Sequence, residues 1–288
     1  MDCQKLFEAY VNVVRNNFAY EEKLENDVRC NKQSLLLKEV AASGTNRIGY
    51  IVTTCSPVTK AHIELGQQAA DNLGLGKVIY VIWPFHYIPG FHNLPVEEWV
   101  QKEKHISWNL RVELLERAIT DASDSRLSVL RESKEWYIRS GVNWNSDEAQ
   151  SSFWTGTWYV LRLIQAQIRE INPSADFVFI CGSDQFNPNV IAQEHGGGTE
   201  KVWKDYSLAE QLAIHDIYAV PRGSGEGQLI HTPPTNLIQH RVIEGTLLEH
   251  SKISATKIRS GEMTDEELID ATYPSVVRAI KRKHLWGY

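Results

Sequence analysis

The sequence predicts an α/β protein built on a doubly wound, Rossmann-like parallel sheet with helices on both faces, preceded by an N-terminal helical extension. Three observations predict it. From about residue 48 onward, short β-rich apolar runs alternate with segments of helical periodicity, an order that favours parallel strands joined by right-handed crossovers. Residues 4 to 28 carry a different rhythm, with Leu6, Tyr10, Val13, Val14 and Phe18 at helical spacing and charges between them. Between the two regions, Ala41-Ala42-Ser43-Gly44-Thr45-Asn46 turns small and polar, as a linker does. The chain therefore divides into a helical extension at residues 1–45 and a Rossmann-like domain at residues 46–288.

Within that domain, Ile48 to Thr54 reads as a strand, and Lys60 to Leu73 as a helix broken by Gly74 and Gly76. Val78 to Trp83 is a second strand, closed by Pro84. Val96 to Ala122 reads as one or two helices, Leu127 to Leu130 as a strand, Trp158 to Ile171 as a helix and Asp176 to Cys181 as a buried strand. Gly196-Gly197-Gly198 and Gly223-Ser224-Gly225-Glu226-Gly227 read as flexible loops. In a sheet of this kind ligands bind beyond the carboxyl ends of the strands, so functional segments are expected just after them.

Composition narrows the function. A chain of 288 residues with 42% hydrophobic and 23% charged residues is an ordinary globular protein able to bury a large core. Its net charge of -6 argues against a general nucleic-acid surface, which needs a basic patch. It contains no run of about eighteen apolar residues, and Met1-Asp2-Cys3-Gln4-Lys5 lacks the apolar core of a secretory signal, so a cytoplasmic protein with no membrane partner is expected. Cys3, Cys30, Cys55 and Cys181 match neither a zinc pattern nor a disulfide framework, and His86 with His92 lacks a third ligand at recognisable spacing, so no metal is assigned to the protein.

Three segments carry chemistry. Thr53-Thr54-Cys55-Ser56-Pro57-Val58-Thr59-Lys60-Ala61-His62 joins the first strand to the first helix, placing hydroxyls and His62 at a helix N-terminus whose free N–H groups favour an anion. The same residues also suit a plain cap, with His62 packed on the sheet. Phe177-Val178-Phe179-Ile180-Cys181-Gly182-Ser183-Asp184 runs from a strand into a Gly and an Asp able to accept from a ribose or an amino group, although turns also use these residues. Lys252-Ile253-Ser254-Ala255-Thr256-Lys257-Ile258-Arg259 crowds hydroxyls and cations where a turn enters a helix. Thr256 and Arg259, three apart, share a face there and could grip one polyphosphate; a capping turn with a solvated basic face is the alternative.

Together, over about residues 47 to 288, these segments resemble the nucleotidyltransferases that include nicotinamide mononucleotide adenylyltransferase, pantetheine-phosphate adenylyltransferase and cytidylyltransferases. Thr59-Lys60-Ala61-His62 is similar to the family's (His/Thr)-x-x-His signature, Ile253-Ser254-Ala255-Thr256-Lys257-Ile258-Arg259 to its Ile-Ser-Ser-Thr-x-Ile-Arg, and Gly182-Ser183-Asp184 to its Gly-x-Asp. Pro274, Val277, Ile280 and His284 fall like the closing helix of the nicotinamide branch. The resemblance implies transfer of AMP from ATP, with Mg²⁺, to a small phosphorylated acceptor such as nicotinamide or nicotinate mononucleotide, releasing pyrophosphate; CTP or another phosphorylated acceptor is the alternative. It implies that His62, Thr59 and Arg259 act in catalysis, and that Thr54, Gly182, Asp184, Ser254, Thr256 and Lys257 hold the nucleotide. Among the tryptophans, Trp83 and Trp136 are the candidates for stacking on the acceptor ring.

The departures from the family cluster on the acceptor side. Thr53-Thr54-Cys55-Ser56-Pro57 stands where the family has Gly-Ser-Phe-(Asn/Asp)-Pro, and Trp83-Pro84-Phe85-His86-Tyr87-Ile88-Pro89-Gly90-Phe91 replaces Ser-Pro-Val-x-Asp-x-Tyr. Two rivals follow from the same residues. Lys252-Ile253-Ser254-Ala255-Thr256 also resembles the Lys-x-Ser-x-Ser motif of class I aminoacyl-tRNA synthetases, and a nucleotide-binding protein without catalysis would keep the fold. The extension is expected to cover a sheet edge or to join a partner subunit, which leaves a homo-oligomer open.

Overall fold

The structure, a computed structural model, describes residues 34–83, 106–139, 149–182, 216–224, 227–229 and 241–288. In chain order these form α1 (Leu35–Ala42), β1 (Arg47–Thr53), α2 (Lys60–Leu73), β2 (Lys77–Ile82), α3 (Trp108–Ala122), β3 (Leu127–Val129), α4 (Ser133–Arg139) and α5 (Ala149–Ile171). There follow β4 (Asp176–Gly182), β5 (Asp216–Val220), β6 (Arg222–Ser224), β7 (Gly227–Leu229), β8 (Arg241–Glu244), α6 (Ala255–Ser260), α7 (Asp265–Ala271) and α8 (Pro274–Arg282). Six strands make one parallel sheet in the order β3-β2-β1-β4-β5-β8, so strand order reverses between β1 and β4. That reversal is the topological switch point, where neighbouring crossovers leave in opposite directions and open a crevice.

Every central strand is apolar on both faces because each face meets helices. Ile79 and Val81 of β2, Phe177 and Phe179 of β4, and Ile217 and Ala219 of β5 share one core with Leu37 and Val40 of α1, Tyr137 of α4 and Leu161, Ile164 and Ile168 of α5. The alternate residues Val78, Tyr80, Ile82, Val178, Ile180, Tyr218 and Val220 join Ile63 of α2, Leu114 and Leu115 of α3, Ile258 of α6 and Val276 and Ile280 of α8 on the other side. The period of two along each strand therefore sorts the side chains into two cores, as a doubly wound sheet requires. At about 25 cal/mol per Å² of apolar surface, each buried Leu, Ile or Phe contributes roughly 1.5–3 kcal/mol, and the sheet is the surface that collects these contributions from both sides.

Expected and observed elements agree closely over the first half of the sheet. The helix expected over Lys60–Leu73 has those bounds, because Gly74 takes φ +63° and turns the chain out of the helix, a conformation glycine reaches without strain. Three differences stand out. Ala41 and Ala42 end α1 rather than opening a linker, and α1 buries Leu37, Val40 and Ala41 against α5, although it precedes residue 46. Arg222–Ser224 and Gly227–Leu229 pair as an antiparallel β6–β7 hairpin where the glycines predict a loop. The sequence reading assigns no strand to β5 or β8. The helix expected within residues 4–28, the segment 96–105 and the loop at 196–198 lie outside the described residues. No helix among the described residues is long and apolar enough to cross a membrane.

Candidate active site

A cleft of about 490 Å³ opens beyond the carboxyl ends of β1, β4 and β5, at the switch point. Its floor is the ends of the strands: Thr53 from β1, Gly182 from β4, and Val220 with Pro221 from β5. Thr54, Cys55, Ser56, Thr59 and His62 line one side, and Ser254, Thr256 and Arg259 line the other. Two stretches of chain nearly two hundred residues apart thus face one space. Their junction is a direct bond: Arg259, 8% exposed on α6, donates from Nη1 to the Ser56 carbonyl at 2.5 Å and from Nη2 to Thr256 Oγ1 at 3.1 Å.

The loop from β1 to α2 is fixed by donors from three other elements. Arg111 of α3, fully buried, donates from Nη1 to the Thr54 carbonyl at 2.8 Å and to the Trp83 carbonyl at 2.7 Å, tying the ends of β1 and β2. Burial lowers its pKa to about 10, and it stays charged at neutral pH. Arg259 takes the Ser56 carbonyl, and Thr272, between α7 and α8, donates to the Val58 carbonyl at 2.9 Å. Alternate carbonyls of the loop are therefore satisfied from outside it, which a buried irregular segment needs in order to hold one shape. Cys55 sits between them at φ +45°, in the left-handed region that a residue with a Cβ adopts only under surrounding constraint. Burial pushes its thiol up to about 12, so it stays protonated and is no nucleophile at neutral pH.

His62 is oriented by its own helix. The Thr59 N–H donates to His62 Nδ1 at 3.1 Å and Thr59 Oγ1 lies 2.7 Å from the same nitrogen, so the imidazole occupies the place that Glu or Gln takes in a capping box. A nitrogen that accepts an amide proton carries none of its own, which puts the proton of the neutral ring on Nε2. From below, buried Tyr80 of β2 donates to the His62 carbonyl at 2.8 Å and seats the first turn of α2 on the sheet. Ser254 caps α6, accepting from the amides of Thr256 at 3.1 Å and Lys257 at 3.3 Å. The capping expected of this turn is thus present, and it leaves the Ser254 hydroxyl proton as a donor beside the cleft.

The structure brings together His62, Thr59, Arg259, Thr54, Gly182, Ser254, Thr256 and Trp83. Lys257 and Trp136 are not in the lining. Lys257 turns to solvent and pairs with Glu267 at 3.2 Å, because its position on α6 faces α7 rather than the cleft. Trp136 is 3% exposed in the core beside α5, where its ring fills volume and meets no ligand space. Trp83 sets an edge in the cleft and packs edge-on to Tyr137 with ring centroids 4.9 Å apart. Asp184 lies outside the described residues, as do Trp99, Trp144, His86 and His92. Sequence reasoning missed Phe179, Pro221, Leu248 and Ser251 of the lining, and Arg111 beneath it. The run Asp216-Ile217-Tyr218-Ala219-Val220-Pro221, apolar and closed by proline, carries a signal for Pro221; a charged residue on the apolar face of α3 is the signal for Arg111.

Fold and cleft together define a doubly wound α/β protein with a hydroxyl-rich site at its switch point. No family model and no curated protein matches the chain. Among solved structures, it is similar to Plasmodium falciparum nicotinic acid mononucleotide adenylyltransferase complexed with APC, with a TM-score of 0.51 and 15% identity over 84% of this chain and 97% of that one. The same Plasmodium protein complexed with NaAD matches with a TM-score of 0.48 and 14% identity, over 84% of this chain and 97% of that one. The chain therefore shares the fold of the first of these structures.

Proposed function

We propose that the cleft transfers AMP from ATP to a small phosphate-bearing acceptor, nicotinate or nicotinamide mononucleotide being the first candidate, and releases pyrophosphate. The observation that carries this reading is the convergence of the His62 turn and the Ser254–Arg259 turn on one space, locked by the Arg259 bond to Ser56. The acceptor phosphate would attack the α-phosphorus in line, so no protein nucleophile is required. His62, with its proton on Nε2, would donate to the α-phosphate oxygen as negative charge gathers there, and Thr59 would hold the ring in that tautomer. Thr54, Ser254 and Thr256 would donate hydroxyl protons to phosphate oxygens, and Arg259 would add fixed positive charge at the β and γ phosphates. Gly182, with no side chain at the end of β4, would admit the nucleoside, and Asp184 would accept from it.

The described lining offers hydroxyls and no carboxylate, which suits a Mg²⁺ carried by the triphosphate rather than one caged by the protein. Bound in that way the ion would neutralise charge on the departing pyrophosphate. The test is to incubate the protein with Mg²⁺, ATP or CTP, and a panel of acceptors that includes both mononucleotides and phosphopantetheine. Pyrophosphate release that depends on ATP and one acceptor is expected. Release that depends instead on an amino acid, or none with any acceptor, would overturn the proposal.

A further inference from the structure

The segment 245–253 forms the outer wall of the cleft, contributing Leu248, Ser251 and Ile253, and it leads into the Ser254 cap. It lies along α2 and is fastened there twice. Gln68 accepts from the Thr246 N–H at 3.1 Å and donates to Thr246 Oγ1 at 2.8 Å, while its carbonyl oxygen also accepts from Tyr218. One turn nearer the cleft, Glu64 accepts the His250 N–H through Oε2 at 3.1 Å and pairs with His250 Nδ1 through Oε1. Glu64 and Gln68 are i and i+4 and therefore share a face of α2. The same helix carries His62 at its start, so whatever holds the wall to α2 also sets its distance from His62.

We propose that Glu64 and His250 are positioning residues that hold the phosphate-binding turn at its working distance from His62. This inference rests on the function proposed above. The fastening at Glu64 is the one that matters for the turn, because His250 is four residues from Ser254 and Thr246 is eight. Around the pair, Asp270 of α7 lies 3.9 Å from His250 Nε2 and also 3.9 Å from Lys60 Nζ, and Glu249 flanks it. Glu64 uses both oxygens, so the contact fixes direction as well as distance.

His250→Ala is expected to raise KM for ATP roughly tenfold, the scale of one charge-assisted hydrogen bond, and Glu64→Ala, which also releases the residue 250 N–H, by at least as much, with kcat within about threefold of the parent in both. The double variant should be no worse than Glu64→Ala alone, since that change already removes both bonds, whereas His250→Ala removes only the one to Nδ1. His250→Asn should restore KM, because its amide nitrogen stands where Nδ1 stood. Hydrogen exchange on the nucleotide-free protein separates this inference from the functional reading: the amides of Thr256, Lys257 and Ile258 should exchange faster in the two alanine variants and recover in the asparagine one. A parent inert towards ATP refutes the function alone, whereas exchange decides the contact. Unchanged exchange in both alanine variants, additive effects, or a stoichiometric divalent ion lost on Glu249→Gln would overturn the inference.

Discussion

Arg259→Gln separates a clamp from a catalytic cation. In the folded protein the guanidinium donates to the carbonyl of Ser56, itself 2% exposed, and to Thr256 Oγ1. The shorter, neutral amide reaches neither, leaving a buried carbonyl without its charged donor. Hydrogen bonds to charged groups contribute about 1.5–3 kcal/mol, so stability should fall by about that amount. At about 2–4 °C per kcal/mol for a large domain, the melting temperature should drop by about 3–12 °C. Catalysis loses a separate contribution. A unit charge about 4 Å from a phosphate oxygen, at an effective dielectric of about 20, interacts by about 4 kcal/mol, and deleting one preorganised donor costs about 2.7–4 kcal/mol, or about 100- to 1,000-fold. Pyrophosphate release, measured well below the melting point and normalised to folded protein, reads the second loss and calorimetry reads the first. A variant that melts early but keeps its turnover within about threefold would make Arg259 a strut, and the triphosphate site would have to lie elsewhere.

Three further outcomes are expected. His62→Ala should lower turnover about 100- to 1,000-fold, about 3 kcal/mol, and, by removing the acceptor of the Thr59 N–H, should also lower the melting temperature by about 2–4 °C, the scale of about 1 kcal/mol; full pyrophosphate release would exclude the role. Ser254→Ala removes the cap of α6 and should cost about 1 kcal/mol by urea titration, together with a rise in KM for ATP; unchanged stability would mean that the cap is not needed. The Cys55 thiol has a folded pKa of about 12 against 9.0 unfolded, so the folded state keeps a proton that the unfolded chain loses. Its contribution is full below about pH 9 and is lost as pH rises towards 12, so the parent should lose about 1 kcal/mol relative to Cys55→Ala between about pH 8.5 and about pH 10. Parallel urea curves at the two pH values would refute this sign.

How legible the molecule is in its sequence depends on whether a signal is local. The bounds of α2 follow from a hydroxyl cap and a following Gly74, both adjacent to the helix they limit. β1, β2 and β4 are strands of six or seven residues whose apolar runs are five or six long, enough to be distinct. β5 carries an apolar run closed by Pro221, the same kind of signal that marks β2, and is legible, whereas β8 has four residues with charged ends, Arg241 and Glu244, and is not separable from a loop. α1 carries Leu37, Val40 and Ala41 at i, i+3 and i+4, a helical period confined to eight residues, and it packs that face on α5. The same division holds in the cleft. Thr59, His62, Ser254, Thr256 and Arg259 are readable as a group because hydroxyl and cationic residues crowd two turns that open helices, and those turns meet at one cleft. Lys257 shares their motif, yet its side chain leaves the cleft for Glu267, since motif membership does not set the face of a six-residue helix.

The least readable part of the site bears most on how it could work. Position-and-charge catalysis needs donors whose places do not change when the substrate arrives, because reorganising them would consume the stabilisation they give. An irregular loop is a poor base for such donors unless its own backbone is held. Here the loop between β1 and α2 is held at Thr54, Ser56 and Val58 by Arg111, Arg259 and Thr272, three side chains between 57 and 214 residues away in sequence. Each comes from a helix, or a turn between helices, that packs on the sheet face carrying α2. The sheet therefore does more than display the ends of its strands: by seating α3 and α6 to α8 on one face, it brings their donors to the loop that precedes His62. A substitution in that second core, such as one at Ile258 or Val276, would reach the cleft through these three bonds.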